Sequence, residues 1–111
     1  MTQTNPDSLT VFARLFDTIS ARKDADPASS YTASLLAKGP AHCARKFGEE
    51  AIETVIAGAS EDNQAVINES ADALYHLCVL LASRDLGLND VAKELERREG
   101  VSGHEEKAGR R

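Results

Sequence analysis

The chain has 111 residues, of which 41% are hydrophobic and 28% charged, with a formal net charge of −5. That length makes one small domain with a thin core, for which pairing with a second copy is a simple way to cover leftover apolar faces. The acidic balance excludes a general nucleic-acid or anionic-membrane surface, since both require clustered Lys and Arg, but leaves room for a local phosphate site.

The N-terminus, MTQTNPDSLT, has neither a basic n-region nor an apolar h-region, and no apolar run approaches the roughly 20 residues of a membrane span, so the expected location is cytoplasmic. Pro6 with Asp7 or Ser8 starts a helix on which Leu9, Phe12, Leu15, Phe16 and Ile19 follow the 3.6-residue period, ending near Lys23. A loop, DADPASS, leads to a short second helix that opens at Ser30 and closes at Gly39. Pro40 begins a third helix, which runs to about Gly58. Ser60 or Asp62 caps a fourth, from about Asn63 to Ser83, whose ADALYHLCVLLA stretch is apolar on nearly every side and should be the most buried. Asn89 is the expected cap of a fifth helix stopped by Gly100, and residues 101–111 read by composition as a flexible tail. Alternating strand patterns and internal repeats are missing, so the reading is a single all-α domain over 1–111, a bundle of about five helices completed by dimerisation. Cys43 and Cys78 form no C-x-x-C spacing, which leaves them as buried free thiols.

The chemistry concentrates between residues 47 and 83. This stretch holds Glu49, Glu50, Glu53, Glu61, Asp62, Glu69 and Asp72 and not one Lys or Arg. Glu61 and Asp62 sit at a helix start, where the macrodipole favours negative charge. Glu50 and Glu53 are three apart and project from one side of the third helix; Glu69 and Asp72 repeat the spacing on the fourth. If these helices are antiparallel neighbours, the pairs face each other as a box of four carboxylates. Their mutual repulsion in a partly desolvated place calls for a polyvalent cation, and oxygen-only ligation selects Mg²⁺ or Mn²⁺ over zinc or copper. Mg²⁺ retains positions for water and phosphates, which points to phosphate chemistry.

Blander readings stand beside this one. A solvated face accounts for the third-helix pair taken alone, and an interhelical salt bridge would serve for the second. His76, one turn after Asp72, fits a hydrogen-bonded core histidine as well as a ligand or substrate contact. Lys46 shares a face with Glu49, Glu50 and Glu53, and Lys38 adjoins Gly39; both suit a phosphate clamp, with Arg97, Arg98 and Lys107 as weaker choices. Ser30, Tyr31 and Thr32 offer hydroxyls for an anion or ribose, although capping alone explains Ser30.

EEAIE, residues 49–53, followed by ESAD, residues 69–72, resembles the E-E-x-x-E and E-x-x-D signature of the all-α nucleoside triphosphate pyrophosphatase superfamily, which includes MazG-like enzymes and dimeric dUTPases. SYTASLLAKG, RKFGEEAIETVIA, ESADALYHLCVLL and ELERREGVSGHEEKAGR together are similar to the phosphoribosyl-ATP pyrophosphatase family of histidine biosynthesis, over nearly the whole chain. The resemblance implies Mg²⁺-dependent hydrolysis of 1-(5-phosphoribosyl)-ATP to 1-(5-phosphoribosyl)-AMP and pyrophosphate by a homodimer of helical bundles. It implies Glu50, Glu53, Glu69 and Asp72 as metal ligands, and Glu49 as a further ligand or the base that orients water. It also implies that the tail orders against substrate or partner. Two rivals remain: a house-cleaning pyrophosphatase acting on other nucleotides, and a non-enzymatic helical dimer in which the cation only staples helices.

Overall fold

The computed structural model describes residues 6–101 together with 103, 104 and 109. Five helices follow one another: α1 (Pro6–Ala21), α2 (Tyr31–Ala37), α3 (Pro40–Ser60), α4 (Asn63–Ser83) and α5 (Leu88–Arg97). No strand occurs among the described residues, so the all-α expectation holds. The expectations for the tail fall largely, and that for Lys107 entirely, outside the described residues.

Each boundary has a local cause. Ser30 Oγ accepts the Ala33 N–H at 3.1 Å, and Asp62 Oδ1 accepts the Ala65 N–H at 2.9 Å; such caps contribute about 1 kcal/mol each. Gly39 takes φ +92°, a left-handed value, and so turns the chain sharply between α2 and Pro40, the first residue of α3. The fifth helix differs from expectation. It starts at Leu88 rather than after Asn89, because the Gly87 N–H donates to Asp90 Oδ2 at 2.8 Å and fixes the first turn one residue earlier.

Only residues 61 and 62 separate α3 from α4, so the two long helices form an antiparallel hairpin, the most extensive packing in the chain. α2 packs on both members of the hairpin and α1 on α4. The core lies where these four meet: Ile19, Leu35, Cys43, Cys78, Val79 and Ala82 are buried, with Leu15, Phe16, Leu36, Tyr75, Leu80 and Leu88 packed around them. Burying Ile19 or Val79 contributes about 1.5–3 kcal/mol each. Both cysteines are buried free thiols, as expected.

The C-terminal half of α4 is the buried centre anticipated from its composition, with His76, Cys78, Val79, Leu81 and Ala82 enclosed. Over 21 residues α4 is also long and apolar enough on average to cross a membrane, contrary to the reading that no run approaches that length. Its packing against three helices and its charged Glu69 and Asp72 are those of the central helix of a bundle. The distal half of the hairpin lacks cover. The stripe that begins at Phe47 and Ala51, both half-buried, ends with Val55 69% exposed, next to exposed Ile52 and Ile56 on α3 and Ile67 on α4.

Candidate active site

The hairpin gathers the acidic side chains. Carboxylate oxygens of Glu50, Glu69 and Asp72 lie within 4.8 Å of one another, Glu50 and Glu69 half-buried and Asp72 exposed. Antiparallel pairing places the second turn-pair opposite the first, as the i,i+3 spacing requires. Glu53 is exposed and lies outside this trio, although its charge still acts on Glu69. Burial, then the charges of Asp72, Glu50, Glu53 and Glu61, push the Glu69 carboxyl above the usual carboxylate range. Among the described residues no Lys or Arg pairs with any of the three. An oxygen-only trio of anions without a cation fits a hard divalent ion, and Glu50, Glu69 and Asp72 are the residues that would hold it.

The third-helix acids have one basic neighbour. Lys46 Nζ stands 3.2 Å from Glu49 Oε1, and that hydrogen bond holds the ammonium firmly in its charged form. Thr54 was not singled out from sequence. Its hydroxyl is 2.9 Å from the Glu50 carbonyl oxygen and 3.0 Å from that of Glu69, joining the two helices at the turns that carry the ligands.

One turn beyond Asp72, His76 is only 6% exposed and its Nδ1 is buried without a hydrogen-bond partner. Desolvation lowers its pKa against the pull of Glu50 and so favours the neutral imidazole. Its ring meets the edge of Tyr75 at 5.0 Å and of Tyr31 at 6.4 Å, while Tyr31 and Tyr75 lie nearly parallel with centroids 6.5 Å apart. Thr32 is less available than its sequence position suggests, since its hydroxyl is hydrogen-bonded to the Tyr75 hydroxyl. Tyr75 was also missed; its place beside His76 in an apolar run reads as core.

Two further basic candidates, both among the described residues, form no ion pair with the trio. Lys38 is the exposed C-cap of α2, and Arg98 Nε is engaged by Glu94 Oε2 at 3.0 Å on α5. The apolar groove among α1, α4 and α5, about 270 Å³ and lined by residues including Phe12, Leu74, Cys78 and Leu95, contains none of the site residues. The carboxylates instead occupy an open face of the hairpin.

The fold and site define an all-α bundle whose central hairpin converges three carboxylates, with Lys46 one turn before one of them. The profile of the phosphoribosyl-ATP pyrophosphohydrolase family matches residues 12–99. A phosphoribosyl-ATP pyrophosphatase of Paracoccus denitrificans is 60% identical over 98 residues, 88% of this chain and 91% of the relative. One from Dinoroseobacter shibae is 59% identical over 102 residues, 92% of this chain and all of the relative, and one from Cereibacter sphaeroides is 57% identical over 102. The chain belongs to the phosphoribosyl-ATP pyrophosphohydrolase family.

Proposed function

We propose that this enzyme hydrolyses the α,β-phosphoanhydride of 1-(5-phosphoribosyl)-ATP, giving 1-(5-phosphoribosyl)-AMP and pyrophosphate, the second step of L-histidine biosynthesis. The oxygen of water forms the new P–O bond, and the bridging oxygen leaves with its pair of electrons. The observation that carries the reading is the trio Glu50, Glu69 and Asp72, convergent within 4.8 Å and lacking any cationic partner among the described residues, in a chain of this family. When bound there, Mg²⁺ (or Mn²⁺) would neutralise phosphate charge and acidify a water. Glu53, one turn along α3 and close enough for its charge to act on Glu69, joins the set when the ion binds.

The remaining steps belong to the protein. Lys46, anchored by Glu49, presents positive charge to the triphosphate at the edge of the trio. Glu49, hydrogen-bonded to Lys46, accepts a hydrogen bond from the attacking water in this reading. Neutral His76 and the Tyr31–Thr32 turn border the same face and contact the nucleoside portion; Lys38 and Arg98 are peripheral charges. The uncovered row of Ile52, Val55, Ile56 and Ile67 supports a homodimer, since apolar patches of this kind are seldom left to water. A cytoplasmic enzyme with no nucleic-acid or membrane partner completes the proposal.

Pyrophosphate release from phosphoribosyl-ATP, beside ATP and dUTP, with Mg²⁺ and with excess EDTA, tests it. EDTA-sensitive turnover selective for phosphoribosyl-ATP is the expected result. Activity confined to another nucleotide would overturn the substrate, and no turnover of any compound would overturn the enzyme.

A further inference from the structure

We propose that the ring of Tyr31 is a stacking platform for the purine base of the nucleotide, which fixes the polarity of the substrate along the hairpin: base at the α2 end, bridging phosphates at the carboxylate trio. The inference rests on the nucleotide substrate of the preceding section and adds the residue that reads its base.

Tyr31 is 59% exposed, an unusual state for a tyrosine next to a core unless its ring serves a contact. It is also braced. Tyr75 lies beside it, the rings 15° from parallel with centroids 6.5 Å apart, and Tyr75 is itself held by the Thr32 hydroxyl and by an edge contact with His76. Such a ring presents a flat apolar surface whose orientation is set before a ligand arrives, which lowers the ordering cost of stacking.

Position supplies the second argument. The Tyr31 ring meets His76 at 6.4 Å, and His76 stands one turn, roughly 6 Å, along α4 from Asp72. The span from ring to trio is therefore of the same order as that from the base of an extended nucleoside triphosphate to its bridging phosphates. Lys46, one turn before Glu50 on α3, is near enough to interact electrostatically with both Tyr31 and Glu50. The order along the face is aromatic ring, cation, then carboxylates for a metal ion, matching base, first phosphate and bridging phosphates. Among the described residues the other exposed aromatic side chain, Phe12, lines the separate groove of α1, α4 and α5.

The chain has two tyrosines and no tryptophan, so the tyrosine ring protons are readily resolved and assigned by NMR. With Mg²⁺ present, ATP is expected to shift the Tyr31 ring protons upfield and tripolyphosphate to leave them in place. By calorimetry, Tyr31→Ala and Tyr31→Leu should weaken ATP binding roughly tenfold and leave tripolyphosphate binding unchanged, whereas Tyr31→Phe should stay within about twofold of the parent. On phosphoribosyl-ATP the same variants should raise KM by a similar factor with a smaller change in kcat. No shift at Tyr31 with millimolar ATP, or an equal loss for tripolyphosphate, would overturn the platform. Parental kcat/KM in Tyr31→Ala overturns the platform and leaves the reaction standing; base-dependent binding without phosphoribosyl-ATP turnover does the reverse.

Discussion

The Thr54 hydroxyl lies between the main-chain carbonyl oxygens of Glu50 and Glu69, 2.9 Å from one and 3.0 Å from the other. Its single proton donates to one at a time, so the contact on α3 alternates with one that crosses to α4. The crossing fixes the register of two helices whose carboxylates converge within 4.8 Å. Thr54→Val keeps the shape and removes the hydroxyl. It should cost about 1 kcal/mol of stability and weaken Mg²⁺ binding roughly tenfold, with Thr54→Ser close to the parent. Melting curves and Mg²⁺ titration of both variants decide it, and equal Mg²⁺ affinity in Thr54→Val would remove the positioning role.

Neutralising the trio should separate activity from folding. Asp72→Asn and Glu69→Gln are expected to lower Mg²⁺-dependent kcat/KM at least about 100-fold while raising the melting temperature without metal, because repulsion is relieved. Glu53→Gln should have a smaller effect on both, since Glu53 lies outside the 4.8 Å cluster. Full activity in Asp72→Asn and Glu69→Gln would dismiss the assignment of the site.

Lys46 is half-buried and reaches Glu49 at 3.2 Å, which limits its rotamers and aims its charge. Lys46→Ala should lower kcat/KM on the order of tenfold, with Lys46→Arg intermediate because its fork differs from a point charge. Steady-state kinetics reading less than a twofold change would show that the lysine is an ordinary surface charge.

Acid should loosen α5 before the hairpin. Hydrogen bonds from Arg97, then Arg98, hold the Glu94 carboxyl down at about 2. A carboxylate depressed in the folded state stabilises above its unfolded pKa near 4.5, and that contribution is lost as pH falls from there toward 2. Amide protection factors in α5, which remove the intrinsic pH dependence of exchange, should therefore fall across this window in the parent and show no such dependence in Glu94→Gln. Identical pH profiles would assign the ion pairs no part in holding α5.

Much of this was legible before the fold was seen. Asp62 followed by an apolar helix marks a start that needs only side chain and backbone three residues apart, so the α3–α4 boundary was readable locally. The carboxylates were legible because 3.6-residue geometry alone aligns Glu50 with Glu53 and Glu69 with Asp72. What escaped depends on neighbours distant in sequence. Periodicity gives a helix a face but does not say where its cover ends: Phe47, Ala51 and Val55 share one stripe of α3, yet the first two are half-buried and Val55 is exposed. Tyr75 read as one more apolar residue, because its partners Tyr31 and Thr32 are more than forty positions away. Glu53 shares the spacing that aligns it with Glu50, while the 4.8 Å cluster comprises Glu50, Glu69 and Asp72, a selection that depends on how α3 meets α4 and not on spacing alone.

The two-residue link between α3 and α4 also bears on how the chain folds. The three carboxylates span residues 50 to 72, and the hairpin that joins them closes through contacts local in sequence, whereas docking α1 requires a longer loop. The carboxylate cluster is thus assembled in the part of the molecule that can form first. A divalent cation that binds the cluster would, when present during refolding, act on the rate of folding itself, besides slowing the unfolding of the finished bundle.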